Sequence, residues 1–177
     1  MAEMIYQSPK SIEEAVNLLA ASSGSVNILA GGTDLIIQMQ ANIDEPRVII
    51  DVKKIAEMTQ AELTEDALLL GPSMCCAALT AREDIKALFP GLVESAYLIG
   101  SSQVQGRASV GGNLCNSSPA ADTVPALIAL NAMCQILGPG GERTVKAEDF
   151  VTGVGRNCLA EDEFLRCIEI PRPEPNT

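Results

Sequence analysis

Two glycine pairs, each followed by a short polar side chain, are the residues with the most chemistry to offer: Ala30-Gly31-Gly32-Thr33-Asp34 and Ser109-Val110-Gly111-Gly112-Asn113. Each follows a β-branched or apolar run and precedes a stretch able to start a helix, so each offers bare strand-to-helix backbone to an anion. Glycine permits positive φ and close backbone approach, which a phosphate cradle needs. Two such turns can hold one diphosphate between them. At the first, Thr33 adds a hydroxyl and Asp34 a carboxylate, which repels phosphate unless it caps the helix or bonds a sugar hydroxyl. The second runs on through Asn116, Ser117 and Ser118 to Asp122, and so many hydroxyls and amides are costly to bury without a partner. Taken singly, the first pair also reads as a tight turn, and the second as a polar surface loop with Asp122 capping the next helix.

Composition removes most other chemistries. The chain of 177 residues contains no histidine, which excludes Ser-His-Asp and Cys-His catalysis, histidine-ligated metals and imidazole-linked flavin. None of its 23 acidic residues stands out as a general acid or base, and no catalytic residue is assigned. The six cysteines, at 75, 76, 115, 134, 158 and 167, include no Cys-x-x-Cys and read as small buried residues, so no metal site is expected. A net charge of −11 argues against nucleic acid, which a basic face would have to meet. Any phosphate must therefore be held by backbone N–H groups. No apolar run approaches the roughly 20 residues of a membrane span, and Met1 to Tyr6 lacks the basic start and apolar core of a secretory signal, so a cytoplasmic protein is expected.

The elements that must position these turns follow from pattern. Met4 to Tyr6 reads as a short strand, and Ser11-Ile12-Glu13-Glu14 opens a helix with an N-cap serine and an acidic first turn, ending at Ser22-Ser23-Gly24. Val26–Ala30, a helix from Asp34 to Gln40 and Arg47–Asp51 make a small βαβ unit whose parallel strands need a covering crossover. Lys53 to Asp66 reads as a connector. A larger lobe follows, with a strand at Ala67–Pro72 and short helices at Ala77–Arg82, Ile85–Phe89 and Leu92–Ile99. A helix over Asp122–Leu130 and strands at Ala132–Leu137, Arg143–Lys146 and Phe164–Ile170 complete it. The fold class is α+β, with lobes at 1–58 and 59–177.

Both glycine motifs in this order, with Tyr6-Gln7-Ser8-Pro9, the approach Ile99-Gly100-Ser101-Ser102-Gln103-Val104-Gln105-Gly106-Arg107 and the closing Glu169-Ile170-Pro171, resemble the FAD-binding subunit of molybdenum hydroxylases. That family includes bacterial xanthine, nicotinate and carbon monoxide dehydrogenases. The resemblance implies a two-lobed FAD-binding fold of the PCMH type. It implies FAD contacts at Leu29, Ala30, Gly31, Gly32, Thr33, Asp34, Leu35, Ile99, Ser109, Val110, Gly111, Gly112, Asn113, Asn116, Asp122 and Leu165, with Cys115 the cysteine nearest the flavin.

The same resemblance implies partners and a role. A molybdopterin subunit oxidises the substrate, an iron–sulfur subunit relays electrons, and this flavoprotein subunit passes them to NAD or another acceptor. The family's further C-terminal lobe is expected to be absent here. An alternative reading is an assembly or docking module that keeps the fold without functional flavin. Gly32→Val and Gly112→Val are expected to abolish flavin uptake while leaving the fold largely intact.

Overall fold

The computed structural model describes residues 4–22, 24–41 and 47–174. The readings that fall on Met1–Glu3, on Ser23 in the stop signal of the first helix and on residues 175–177 lie outside them. The chain opens with β1 (Met4–Gln7), α1 (Ile12–Ala21), β2 (Ser25–Leu29), α2 (Leu35–Ala41) and β3 (Arg47–Asp51), whose strands form a parallel sheet in the order β1-β3-β2. Ser11 starts α1 as read: its Oγ accepts the Glu14 N–H at 3.2 Å, and the Glu14 carboxylate accepts the Lys10 N–H at 2.7 Å. This reciprocal cap satisfies two amides that would otherwise lose water. Ile12, Ala15 and Leu19 lie on one side of α1 and pack on Ile50 and Val52, with Val26, Ile28 and Val48 against them.

One expectation about this lobe changes. The crossover that covers the sheet is α1, whereas α2 buries none of its residues, and Ile36 and Ile37 are 50% and 66% exposed. The reason is spacing: Leu35, Ile36 and Ile37 are consecutive, so they point to different sides of the helix and form no single apolar stripe.

The expected connector is folded. It holds α3 (Ala56–Thr59) and β4 (Ala61–Leu63), elements too short for periodicity to reveal. After β5 (Ala67–Leu70) come α4 (Cys76–Thr80), α5 (Glu83–Leu88), α6 (Pro90–Leu98), α7 (Ser102–Gln105), α8 (Val110–Asn116) and α9 (Val124–Ala129). The chain continues through β6 (Met133–Gly138), β7 (Gly141–Lys146), α10 (Ala147–Phe150), β8 (Val151–Gly153), β9 (Arg156–Asn157) and β10 (Phe164–Pro171). An antiparallel sheet runs β4-β5-β10-β6-β7, and its core, built on Leu68, Leu70, Ile136, Ile168 and Ile170, packs under α4 to α6 through Leu79, Ile85 and Leu92.

The two cores meet on one strand. Phe164 belongs to the core under α1, while Leu165, Ile168 and Ile170 belong to the core of the larger sheet. Phe164 and Leu165 point to opposite faces by the ordinary alternation of a strand. A bulge between Leu165 and Cys167 in the β10–β6 pairing then keeps Leu165 and Ile168 on one face, so both serve the larger core.

Just before β10, Glu163 takes a two-pronged bond from Arg143, Nε at 2.8 Å and Nη2 at 2.7 Å, and accepts the Ala160 N–H at 2.8 Å. The Arg143 guanidinium is the main cause holding the carboxyl down at about 2, against a usual value of 4.5. A carboxylate with a depressed folded pKa stabilises above its unfolded pKa, and the contribution is lost as pH falls through the folded one. Glu163→Gln should therefore be less stable than wild type at neutral pH, and the gap between their urea midpoints should close as pH drops from about 4.5 toward 2. A gap that is constant with pH would show that the pair contributes nothing through ionisation.

Candidate functional site

A cavity of about 310 Å³ opens where β2 runs into α2 and where α8 begins, a size at the lower end of ligand pockets. Residues 30–35 line it from the first turn; Ser109, Gly111, Gly112, Asn113 and Asn116 line it from the second; Ile99 and Leu165 line it from the larger lobe. The two turns, 78 positions apart at the Gln38–Asn116 bridge, thus share one space, and Gln38 Nε2 donates to Asn116 Oδ1 at 2.9 Å across it.

Three residues assigned from the sequence do not line the cavity. Leu29 packs beneath the turn, its Cδ1 2.9 Å from where a Cβ on Gly32 would stand. Val110 is buried in the larger core, and Asp122 is exposed on the surface before α9. Nor does Asp122 cap that helix: Thr123 takes the N-cap position, and Asn113 Oδ1 accepts both its N–H at 3.2 Å and its hydroxyl at 2.7 Å. Ile28, Gln38, Met58, Pro72, Ser73, Ala108 and Gly155 were missed, and no motif marks them; Cys115 also lines the cavity.

The turns are chemically unequal. The N–H groups of Gly31, Gly32, Thr33, Asp34 and Leu35 find no acceptor among the described residues. Successive unpaired amides in a turn form an anion-binding concavity. The second turn is different because Gly111 and Gly112 lie inside the first turn of α8. There Gly111 N–H goes to Pro72 O at 3.1 Å, Gly112 N–H to the N-cap Ser109 Oγ at 3.1 Å and Asn113 N–H to Ser109 O at 2.9 Å. The run is also tied by an isolated antiparallel bridge between Cys75 and Ser109, so the second turn contributes surface and side chains more than amides.

The glycines have distinct physical reasons. A Cβ on Gly31 would stand 2.1 Å from Arg107 O, and one on Gly111 would stand 2.4 Å from Pro72 Cβ, so these two let the halves of the chain touch. Gly32 needs its φ of +79°. Valine there is strained whatever the space, so the expected intact fold of Gly32→Val does not hold, whereas a Cβ at Gly112 meets Ser109 Oγ at 3.0 Å and Ala30 Cβ at 3.9 Å.

Electrostatics around the first turn come from one ion pair. Lys53 Nζ donates to Ala30 O at 2.8 Å and sits 2.9 Å from Asp51 Oδ1, whose other oxygen accepts the Tyr6 hydroxyl at 2.6 Å. Burial acts to raise the Asp51 carboxyl, but the Tyr6 hydroxyl and Lys53 outweigh it and hold the group below its usual range. Within a planar peptide, C=O and N–H point in opposite directions, so pinning Ala30 O also fixes the Gly31 N–H. Asp34 is exposed and, among the described residues, accepts only from Thr33 Oγ1, at 3.3 Å. Burial pushes the Cys115 thiol up to about 12, which favours its protonated form at neutral pH. No group of three or more histidine, cysteine or acidic side chains among the described residues is placed to hold a metal. No helix of the described residues is long and apolar enough to cross a membrane.

Residues 2–173 match the family described as FAD binding domain in molybdopterin dehydrogenase. The chain is 32% identical over 181 residues to the nicotinate dehydrogenase FAD-subunit of Eubacterium barkeri, covering 100% of this chain and 61% of that protein. It is 33% identical over 171 residues to the xanthine dehydrogenase FAD-binding subunit of Escherichia coli O157:H7, covering 96% and 58%. Among solved structures, a carbon monoxide dehydrogenase from Hydrogenophaga pseudoflava superposes with a TM-score of 0.90 at 31% identity, over 96% of this chain and 59% of that one. The chain thus spans about three fifths of the length of these relatives.

Proposed function

The chain belongs to the family of FAD binding domains in molybdopterin dehydrogenases, and from that premise we propose that it binds FAD between its two glycine turns as the electron-transfer part of a molybdenum hydroxylase complex. The observation that carries this reading is the run of five amides, Gly31 to Leu35, that find no acceptor among the described residues and belong to residues lining the shared cavity. Those N–H groups hold a diphosphate in a chain too acidic to supply a basic patch. Lys53 keeps the first of them oriented through Ala30 O. Asn113 spends its Oδ1 on Thr123, which leaves its Nδ2 for the ligand. Asp34, in water at the turn, is suited to a sugar hydroxyl rather than to phosphate. Ile99 and Leu165 offer apolar surface to a flat ring. When bound, FAD supplies the redox chemistry, and the protein supplies binding, orientation and electrostatics.

The relatives are named as FAD subunits and medium chains, which suits a component of a larger assembly. The partners proposed here are an iron–sulfur subunit that delivers electrons and a molybdopterin subunit that oxidises the substrate. NAD, or another soluble acceptor, receives the electrons.

Titration of the purified chain with FAD should quench flavin fluorescence and leave a yellow protein after gel filtration. ADP and inorganic pyrophosphate, which carry the anion, should displace FAD, while riboflavin, which lacks it, should not. A colourless protein with unquenched flavin would sink the proposal and favour the assembly module.

A further inference from the structure

Ser73 is buried to 5% exposure in the turn between β5 and α4, lines the same cavity, and has a side-chain oxygen with no hydrogen-bond partner among the described residues. Other buried serines behave otherwise. Ser95 Oγ donates to Leu92 O at 2.8 Å, Ser117 Oγ donates to Leu114 O at 3.2 Å, and Ser109 Oγ accepts the Gly112 N–H. Ser8 and Asn27 also carry unpartnered buried oxygens, but neither lines the cavity. Leaving a hydroxyl buried and unpaired is costly, so such a group calls for a reason.

The backbone around Ser73 gives it no freedom to find another partner. Ser73 N–H is tied to Met58 O at 2.7 Å, Met74 N–H to Gly71 O at 3.0 Å, and Pro72 O accepts the Gly111 N–H of α8 at 3.1 Å. Gly71 lies so close to the α3 backbone that a Cβ there would stand 2.4 Å from Glu57 O. The turn is clamped between α3 and α8, which holds Ser73 against the cavity beside the second glycine pair.

We infer that the Ser73 hydroxyl is a hydrogen-bonding contact for the flavin nucleotide, a binding residue outside both glycine motifs. The inference rests on the proposed function, because it takes FAD to be the occupant. A hydroxyl held for a ligand makes two opposite demands: it weakens the empty protein, and it strengthens the filled one.

Ser73→Ala separates them. FAD affinity, read by fluorescence quenching, should fall about tenfold or more, while the urea midpoint of the ligand-free protein should stay the same or rise. ADP tells which end of the nucleotide the hydroxyl meets: an ADP affinity that falls with that of FAD places it at the adenosine diphosphate end, and an unchanged one places it at the flavin end. Unchanged FAD affinity in Ser73→Ala, with a wild type that binds, overturns this inference and leaves the proposed function standing. A lowered urea midpoint that accompanies the lost affinity also overturns it, because the serine would then be holding the fold. A wild type that takes up no flavin removes the proposed function and this inference together.

Discussion

Gly31→Ala should abolish FAD uptake and lower stability by about 3 kcal/mol or more, at the upper end of the cost of overpacking a rigid contact. The added Cβ would stand 2.1 Å from Arg107 O, 2.7 Å from Arg107 C and 3.0 Å from Ala108 Cα. All three are backbone atoms, so no rotamer change relieves the overlap, and the first turn must pull away from the segment that leads into α8. That displacement moves the five amides off the surface they share with Ser109 and Asn113. Gly140→Ala is the matched control, because nothing lies within 4 Å of a Cβ there and no positive φ is required. The comparison is made by flavin fluorescence and urea unfolding. A Gly31→Ala protein with wild-type flavin affinity and midpoint would remove the argument that the halves touch at this glycine.

Lys53→Met should weaken FAD about tenfold to a hundredfold, although Lys53 does not line the cavity. The ammonium bonds Ala30 O and Asp51 Oδ1 at once, so its loss frees the peptide that fixes Gly31 N–H and leaves Asp51 with the Tyr6 hydroxyl and the Lys53 N–H. Lys53→Arg, which keeps a charged donor, should recover part of the loss. Isothermal titration separates this effect from simple destabilisation, since a pre-set turn that has become mobile adds an ordering penalty to binding. An unchanged Kd in Lys53→Met would mean that the turn holds its shape without the ammonium.

Much of this site was legible in the residues themselves. A short polar residue after Gly-Gly, twice, between a strand and a helix start, was enough to bring Gly31 and Gly111 together, because close backbone approach and an anion cradle both demand the same residue type. The start of α1 was legible for a similar reason, since Ser11 and Glu14 can each satisfy the other's neighbouring amide locally. What escaped was non-local. Ser73, Met58 and Lys53 reach the site through contacts with residues far along the chain, and no spacing rule encodes a bond from residue 53 to Ala30. The unequal roles of the two turns escaped as well. Ser109 looked like one more hydroxyl of a polar loop, but as N-cap it absorbs amides that would otherwise be available. Asp122 shows the converse, where a residue matching a pattern stands one position away from the residue that bonds.

The two-faced strand β10 has a bearing on how the protein can come apart. Phe164 and Leu165 are neighbours in sequence that serve different cores, and Leu165 also forms part of the cavity wall. The cavity is therefore not a graft on a finished domain; it is the seam itself, and one strand stitches both edges. Severing the chain between its two sheets would leave each fragment missing material that the other supplies, so flavin binding and integrity of the whole are inherited together or lost together.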